Sequence, residues 1–128
     1  MAPNLQSNKD AVLAFYDLSF NQRKPEEAIA KYVGRMYRQH NPMAGDGAQP
    51  FIGFVKWFAG SFPDMKVTFK RTIAEGDMVA VHCHITRSKD DRGQAVVDLF
   101  RLEDGKIVEH WDVVQEIPEK TENTNTMF

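Results

Sequence analysis

Three residues near the end of the chain have the types and spacing of an acid–base site: Asp98, His110 and Asp112. They lie in the stretch Val96 to Gln115, VVDLFRLEDGKIVEHWDVVQ, which reads as two β-strands joined by the turn Glu103-Asp104-Gly105-Lys106. Successive strand residues point to opposite faces, so Asp98 and Phe100 share one face, and His110, Asp112 and Val114 share one face of the return strand. A carboxylate on a buried strand face is costly unless it is partnered or neutral. That cost can be useful: a neutral acid donates a hydrogen bond, and an ionised one abstracts a proton. The structural alternatives are that this face is solvated, or that each Asp simply pairs with a histidine.

Other polar residues extend the set. His82 and His84 are two residues apart and share a strand face; with His110 they raise the question of a three-imidazole zinc site. H-x-H spacing is weak evidence for a metal and none is assigned. The favoured reading is that one or two of these imidazoles hydrogen-bond an Asp and set its protonation, or act as acid or base. His40 and Asn41 precede Pro42, in a turn or at a pocket mouth. Tyr16 falls on an apolar helix stripe, either as core or as a donor to a developing oxyanion. Trp111, Val113 and Gln115 lie on the face opposite Asp112, where an exposed stripe marks a subunit interface. Cys83 alternates away from His82 and His84 and reads as packing. No nucleophile elbow, phosphate loop or dinucleotide glycine pattern is present.

These residues need elements to hold them. A helix is expected from Ser7-Asn8-Lys9-Asp10 to about Phe20, with Val12, Leu13, Tyr16 and Phe20 on one stripe. A second starts at Pro25 and closes at Gly34. A short strand, Arg35 to His40, ends at Asn41-Pro42. Pro50 then opens a third helix with Phe51, Phe54, Val55 and Phe58 on its apolar side. After Pro63 the period changes to two: Lys66–Glu75, Met78–Arg87 and the final hairpin form a four-strand meander. The order α-α-β-α-β-β-β-β over 128 residues fits one α+β domain, residues 1–128, in which 119–128 is a tail, frayed or docked on a partner. A strongly curved, mostly antiparallel sheet packed on the three helices would enclose a pocket. The net charge of −2, with basic residues scattered, speaks against nucleic acid, and no apolar run is long enough to span a membrane. A single cysteine allows no intrachain disulfide, and with no signal peptide read the cytoplasm is the default compartment.

Tyr37–Pro42 (YRQHNP), Asp98–Arg101 (DLFR) and Asp104–Gln115 (DGKIVEHWDVVQ) carry a whole-chain resemblance to the SnoaL-like polyketide cyclases of the nuclear transport factor 2-like superfamily. The resemblance implies a cone with a buried pocket, Asp98, His110 and Asp112 pointing inward, and a homodimer through the convex face. It also implies a pocket Asp, best matched by Asp112, as general base for aldol closure, with Tyr16 and Asp98 at the positions of the ketosteroid isomerase oxyanion hole. Asn41 stands where that isomerase has its base, and an amide cannot abstract a proton. Limonene epoxide hydrolase needs an Arg and an Asp roughly where His82 and His84 stand. The expectation is therefore a cyclase or isomerase without metal or cofactor, acting on a small apolar carbonyl compound. Its catalytic set is Asp112, Asp98, His110, His82 and His84; its substrate-binding set is Tyr16, His40, Asn41, Phe58 and Phe100. The alternative is a non-catalytic binding or dimerisation module of the same fold.

Overall fold

The computed structural model describes residues 3–128. Helix α1 spans Leu5–Tyr16, and its first turn is capped by the Asn4 side chain, which accepts from the Ser7 amide. The cap thus sits three residues before the serine expected from sequence. The expected single helix to Phe20 is two pieces: α1 runs directly into a wider π-helical turn, Asp17–Asn21. Helix α2 covers Pro25–Tyr32 with its proline in the first turn, and α3 covers Ala48–Ser61. The strands are β1 Val33–Gln39, β2 Lys66–Glu75, β3 Met78–Thr86, β4 Gln94–Glu103 and β5 Lys106–Glu116.

All five strands form one sheet in the order β1-β5-β4-β3-β2. The meander β2 to β5 is antiparallel, and β1 joins its edge parallel to β5. The long excursion through α3 separates β1 from its partner, so local spacing does not reveal that pairing. Register shifts interrupt the ladders in β2 between Phe69 and Arg71, and in β4 between Arg101 and Leu102. Such bulges bend and twist a sheet, and here the sheet curls around the helices.

The concave face carries the apolar half of the alternation. Val79, Val81, Cys83, Val96 and Phe100 pack against Val12, Phe15, Tyr16 and Phe20 from the N-terminal helical segment. Asn21 ties that segment to the sheet: its side chain accepts from the Val67 amide at 2.9 Å and donates to the Val67 carbonyl at 2.9 Å. The turn before β4 requires glycine at 93. Its φ is +80°, and a Cβ there would stand 2.2 Å from the Ile85 carbonyl oxygen. Among the described residues no helix is long and apolar enough to cross a membrane.

Candidate active site

Tyr16 sits at the last turn of α1, and its hydroxyl reaches the sheet. It donates to Asp98 Oδ1 at 2.8 Å and lies 3.1 Å from His110 Nε2. His110 Nε2 is itself 2.7 Å from Asp98 Oδ1. Asp98 and His110 are only 1% and 2% exposed. Across the hairpin Asp98 stands directly opposite Asp112, and Phe100 opposite His110. Two facing carboxylates repel, and each is given its own partners. Asp98 has Tyr16, His110 and the Cys83 thiol, which donates to Oδ2 at 3.4 Å. Asp112 accepts from Asn41 Nδ2 at 2.8 Å, and its second oxygen is 3.8 Å from His110 Nε2.

The electrostatics distinguish these groups. Burial, reinforced by Asp98, holds the Tyr16 phenol protonated well above its usual range, so it remains a donor. Burial likewise raises the Cys83 thiol. Burial raises the Asp112 carboxyl, a shift that the nearby Asp98 reinforces and that His110 and the Asn41 amide oppose. Asp112 is the less buried of the two facing acids, and it borders the cavity.

That cavity has a volume of about 370 Å³. Its polar lining residues are Tyr16, Gln39, Asn41, Asp98, His110 and Asp112, with Arg87 and Gln94 beyond them, and Phe20, Phe51, Phe54, Trp57, Phe58 and Phe62 form much of the apolar wall. The size and lining suit a small, largely apolar molecule that carries polar groups. Among the described residues, Asp98, His110 and Asp112 each offer one ligand atom, all within 4.8 Å of one another, and could hold a metal ion. His110 Nε2 already makes a short hydrogen bond to Asp98, so an ion there would have to displace the proton between them.

Four expected site residues lie elsewhere. His82 and His84 are on the convex face, because β3 alternation turns them away from Val81 and Cys83. The Arg71 guanidinium bonds the His82 ring, His84 Nε2 is 2.7 Å from the Arg92 carbonyl, and the Phe128 ring packs on both. They are therefore on the wrong side of the sheet to tune Asp112 or to join His110 at a metal. His40 bonds Glu109 Oε2 at 2.6 Å and stacks on Trp111 at 4.7 Å, away from the pocket, since strand alternation sends it opposite to Gln39 and Asn41. Phe100 is fully buried beneath the site, edge-on to Tyr16 and Phe15, and does not line the cavity. Phe58 and Asn41 do line it. Gln39 was not anticipated: its Oε1 lies 2.7 Å from His110 Nδ1. Tyr37 and Gln39 share a face with Asn41 at strand spacing, and that periodicity was the available signal.

A pocket of this kind, in a cone of three helices closed by a curled sheet, defines the nuclear transport factor 2-like class of proteins. Within that class a model of the SnoaL-like domain matches residues 12–110, and the chain belongs to the SnoaL-like family. No curated protein matches it significantly in sequence. Similar solved structures include TsrD from Streptomyces laurentii, with a TM-score of 0.73 and 18% identity over 88% of this chain and 90% of that one. A candidate SnoaL-like polyketide cyclase from Jannaschia sp. CCS1 has a TM-score of 0.71 and 21% identity over 89% of each chain. IdmH from Streptomyces antibioticus, described as a candidate polyketide cyclase, has a TM-score of 0.66 and 22% identity over 84% of this chain and 91% of its own. At these identities the likeness is one of fold.

Proposed function

We propose that the protein is a cyclase or isomerase that removes a proton next to a carbonyl group of a small apolar substrate. The observation that carries this reading is that one cavity is bordered by Asp112 and, immediately beside it, by the hydrogen-bonded Tyr16–Asp98–His110 cluster. Asp112 is the general base. It takes the α-proton, and the electron pair of that C–H bond moves into the carbonyl, making an enolate. With substrate bound, the Tyr16 hydroxyl turns its one hydrogen from Asp98 to the enolate oxygen and stabilises it, while Asp98 and His110 keep the proton they share. The enolate carbon then attacks a second carbonyl in the same molecule, whose oxygen takes up a proton, or is reprotonated at another position. The first outcome is aldol closure and the second isomerisation; neither consumes a co-reactant. Asn41 orients the base by occupying Asp112 Oδ1 and leaving Oδ2 for the substrate.

One observation favours a non-catalytic binding site instead: Tyr16, Asp98 and His110 already satisfy one another by hydrogen bonds, as they would if they only fixed a ligand's orientation. Incubation in D2O with a panel of small cyclic ketones and 1,3-dicarbonyl compounds separates the two. Enzyme-dependent deuterium incorporation next to the carbonyl is expected, and Asp112→Asn is expected to abolish it. Exchange that survives Asp112→Asn removes the base assignment. Ligand binding without exchange by either form leaves the binding module. The convex face is proposed to pair two copies of the chain through Trp111, Val113 and Gln115.

A further inference from the structure

We infer that Gln39 is a positioning residue that holds His110 with a proton on Nδ1 and so presents Nε2 to Asp98 and Tyr16. Asn41 N–H donates to the Gln39 side chain at 3.1 Å. A backbone N–H can only donate, so the atom it meets is the amide oxygen. The same oxygen lies 2.7 Å from His110 Nδ1, and an acceptor at that distance requires Nδ1 to bring the hydrogen. The orientation of Gln39, ordinarily ambiguous between its oxygen and nitrogen, is thus set by the main chain.

The other nitrogen then has a defined task. Nε2 is 2.7 Å from Asp98 Oδ1, an oxygen that already accepts from Tyr16. A contact this short between Nε2 and a carboxyl oxygen holds one proton, written on either partner. The backbone keeps the pieces aligned. Gln39 and His110 are paired across β1 and β5, and the His40 amide donates to the His110 carbonyl at 3.0 Å. Tyr37 stacks parallel to the imidazole and Phe100 packs against it, which restrains the ring. The titratable groups facing it are Tyr16 from α1, Tyr37 from β1, Asp98 from β4 and Asp112 from its own strand, and Cys83 from β3 bonds the far oxygen of Asp98. Parallel strand β1 therefore supplies a tautomer lock that the meander alone lacks. The part this gives His110 in turnover rests on the function proposed above; the tautomer does not.

Nitrogen-15 NMR of histidine-labelled protein tests the lock directly. In the wild type, the folded protein is expected to show a proton on His110 Nδ1. Gln39→Glu keeps an acceptor and is expected to keep the pattern. Gln39→Leu removes the acceptor, and the neutral ring is expected to move its proton to Nε2. A neutral wild-type His110 with a bare Nδ1 overturns the inference, as does a Gln39→Leu spectrum identical to the wild type. Should Gln39→Leu fail to fold, the wild-type and Gln39→Glu spectra still decide. In the deuterium-exchange assay Gln39→Leu is expected to lower kcat with little change in KM, and Gln39→Glu to restore it. An Nδ1-protonated His110 in a protein that exchanges no substrate supports the lock and counts only against the proposed function.

Discussion

Asp112 illustrates how one residue can be both useful and costly. Its carboxyl is raised chiefly by burial, so the folded protein holds that proton more tightly than the unfolded chain does. From the unfolded value of about 3.9 up to the higher native value, the native state binds more protons. Asp112 therefore makes stability fall as pH rises through that window. Denaturant titrations across it are expected to show a shallower decline for Asp112→Asn than for the wild type. The same shift places the acid limb of the activity profile above the ordinary carboxylate range, with activity rising as Asp112 ionises; a limb at the unperturbed position would contradict the base assignment. Tyr16 is the complementary case, a phenol held protonated by burial and by Asp98. Tyr16→Phe preserves the ring packing with Phe20 and Phe100 but removes the donor. It is expected to reduce the exchange rate by about 10²-fold or more, the usual scale for one oxyanion donor, with the circular dichroism spectrum unchanged.

At the scale of elements, the site depends on where helices and strands are interrupted. The π-helical turn after Tyr16 brings Asn21 to Val67, so the end of the first helix is hydrogen-bonded like a short extra strand. Asn21→Leu is expected to lower stability by about 1–3 kcal/mol, the scale of stranding backbone groups without partners, read as a drop in melting temperature. The hairpin bulge matters more. Glu103 pairs with Lys106 and Leu102 with Ile107, but Arg101 pairs with Glu109, leaving Val108 as the extra residue. Continued without the bulge, the register would set Asp98 opposite Trp111 instead of Asp112. A one-residue slip sends side chains to the other face, so Val108 is what places His110 and Asp112 with Asp98. The strands, the turn and the period-two pattern were legible in the residues. The bulge was not, because Ile107 and Val108 are both buried and nothing local distinguishes the paired residue from the unpaired one.

The two faces of the sheet differ across the whole molecule. The concave side holds the pocket. The convex side exposes Ile73, Val97, Leu99 and Val113, the last 73% exposed. His40 lies flat on Trp111, and Phe128 at the end of the tail covers His82 and His84. A contiguous apolar strip on a sheet is more often an interface than a bare surface, and the proposed homodimer uses it. Val113→Asp is expected to turn a dimer into a monomer in sedimentation experiments while leaving the fold intact. An unchanged mass would show that this face is not the contact. The two histidines illustrate the limit of spacing: H-x-H ensured that His82 and His84 share a face, but which face depended on pairing with β4.

Residue types and their periods alone determined the three helices, the meander and the turn at Asp104-Gly105, and singled out Asp98, His110 and Asp112 as candidates. These follow from short-range rules: helical stripes, strand alternation and the few residues that tolerate tight turns. Tertiary structure decided the rest. It placed β1 beside β5 and so brought Gln39 to His110 and Asn41 to Asp112. Through one bulge it set the two carboxylates face to face, and it moved His40, His82 and His84 out of the pocket. The physical reason is common to all of these: they depend on strand register and on contacts between residues distant in the chain, set by the collective packing of the curled sheet on its helices.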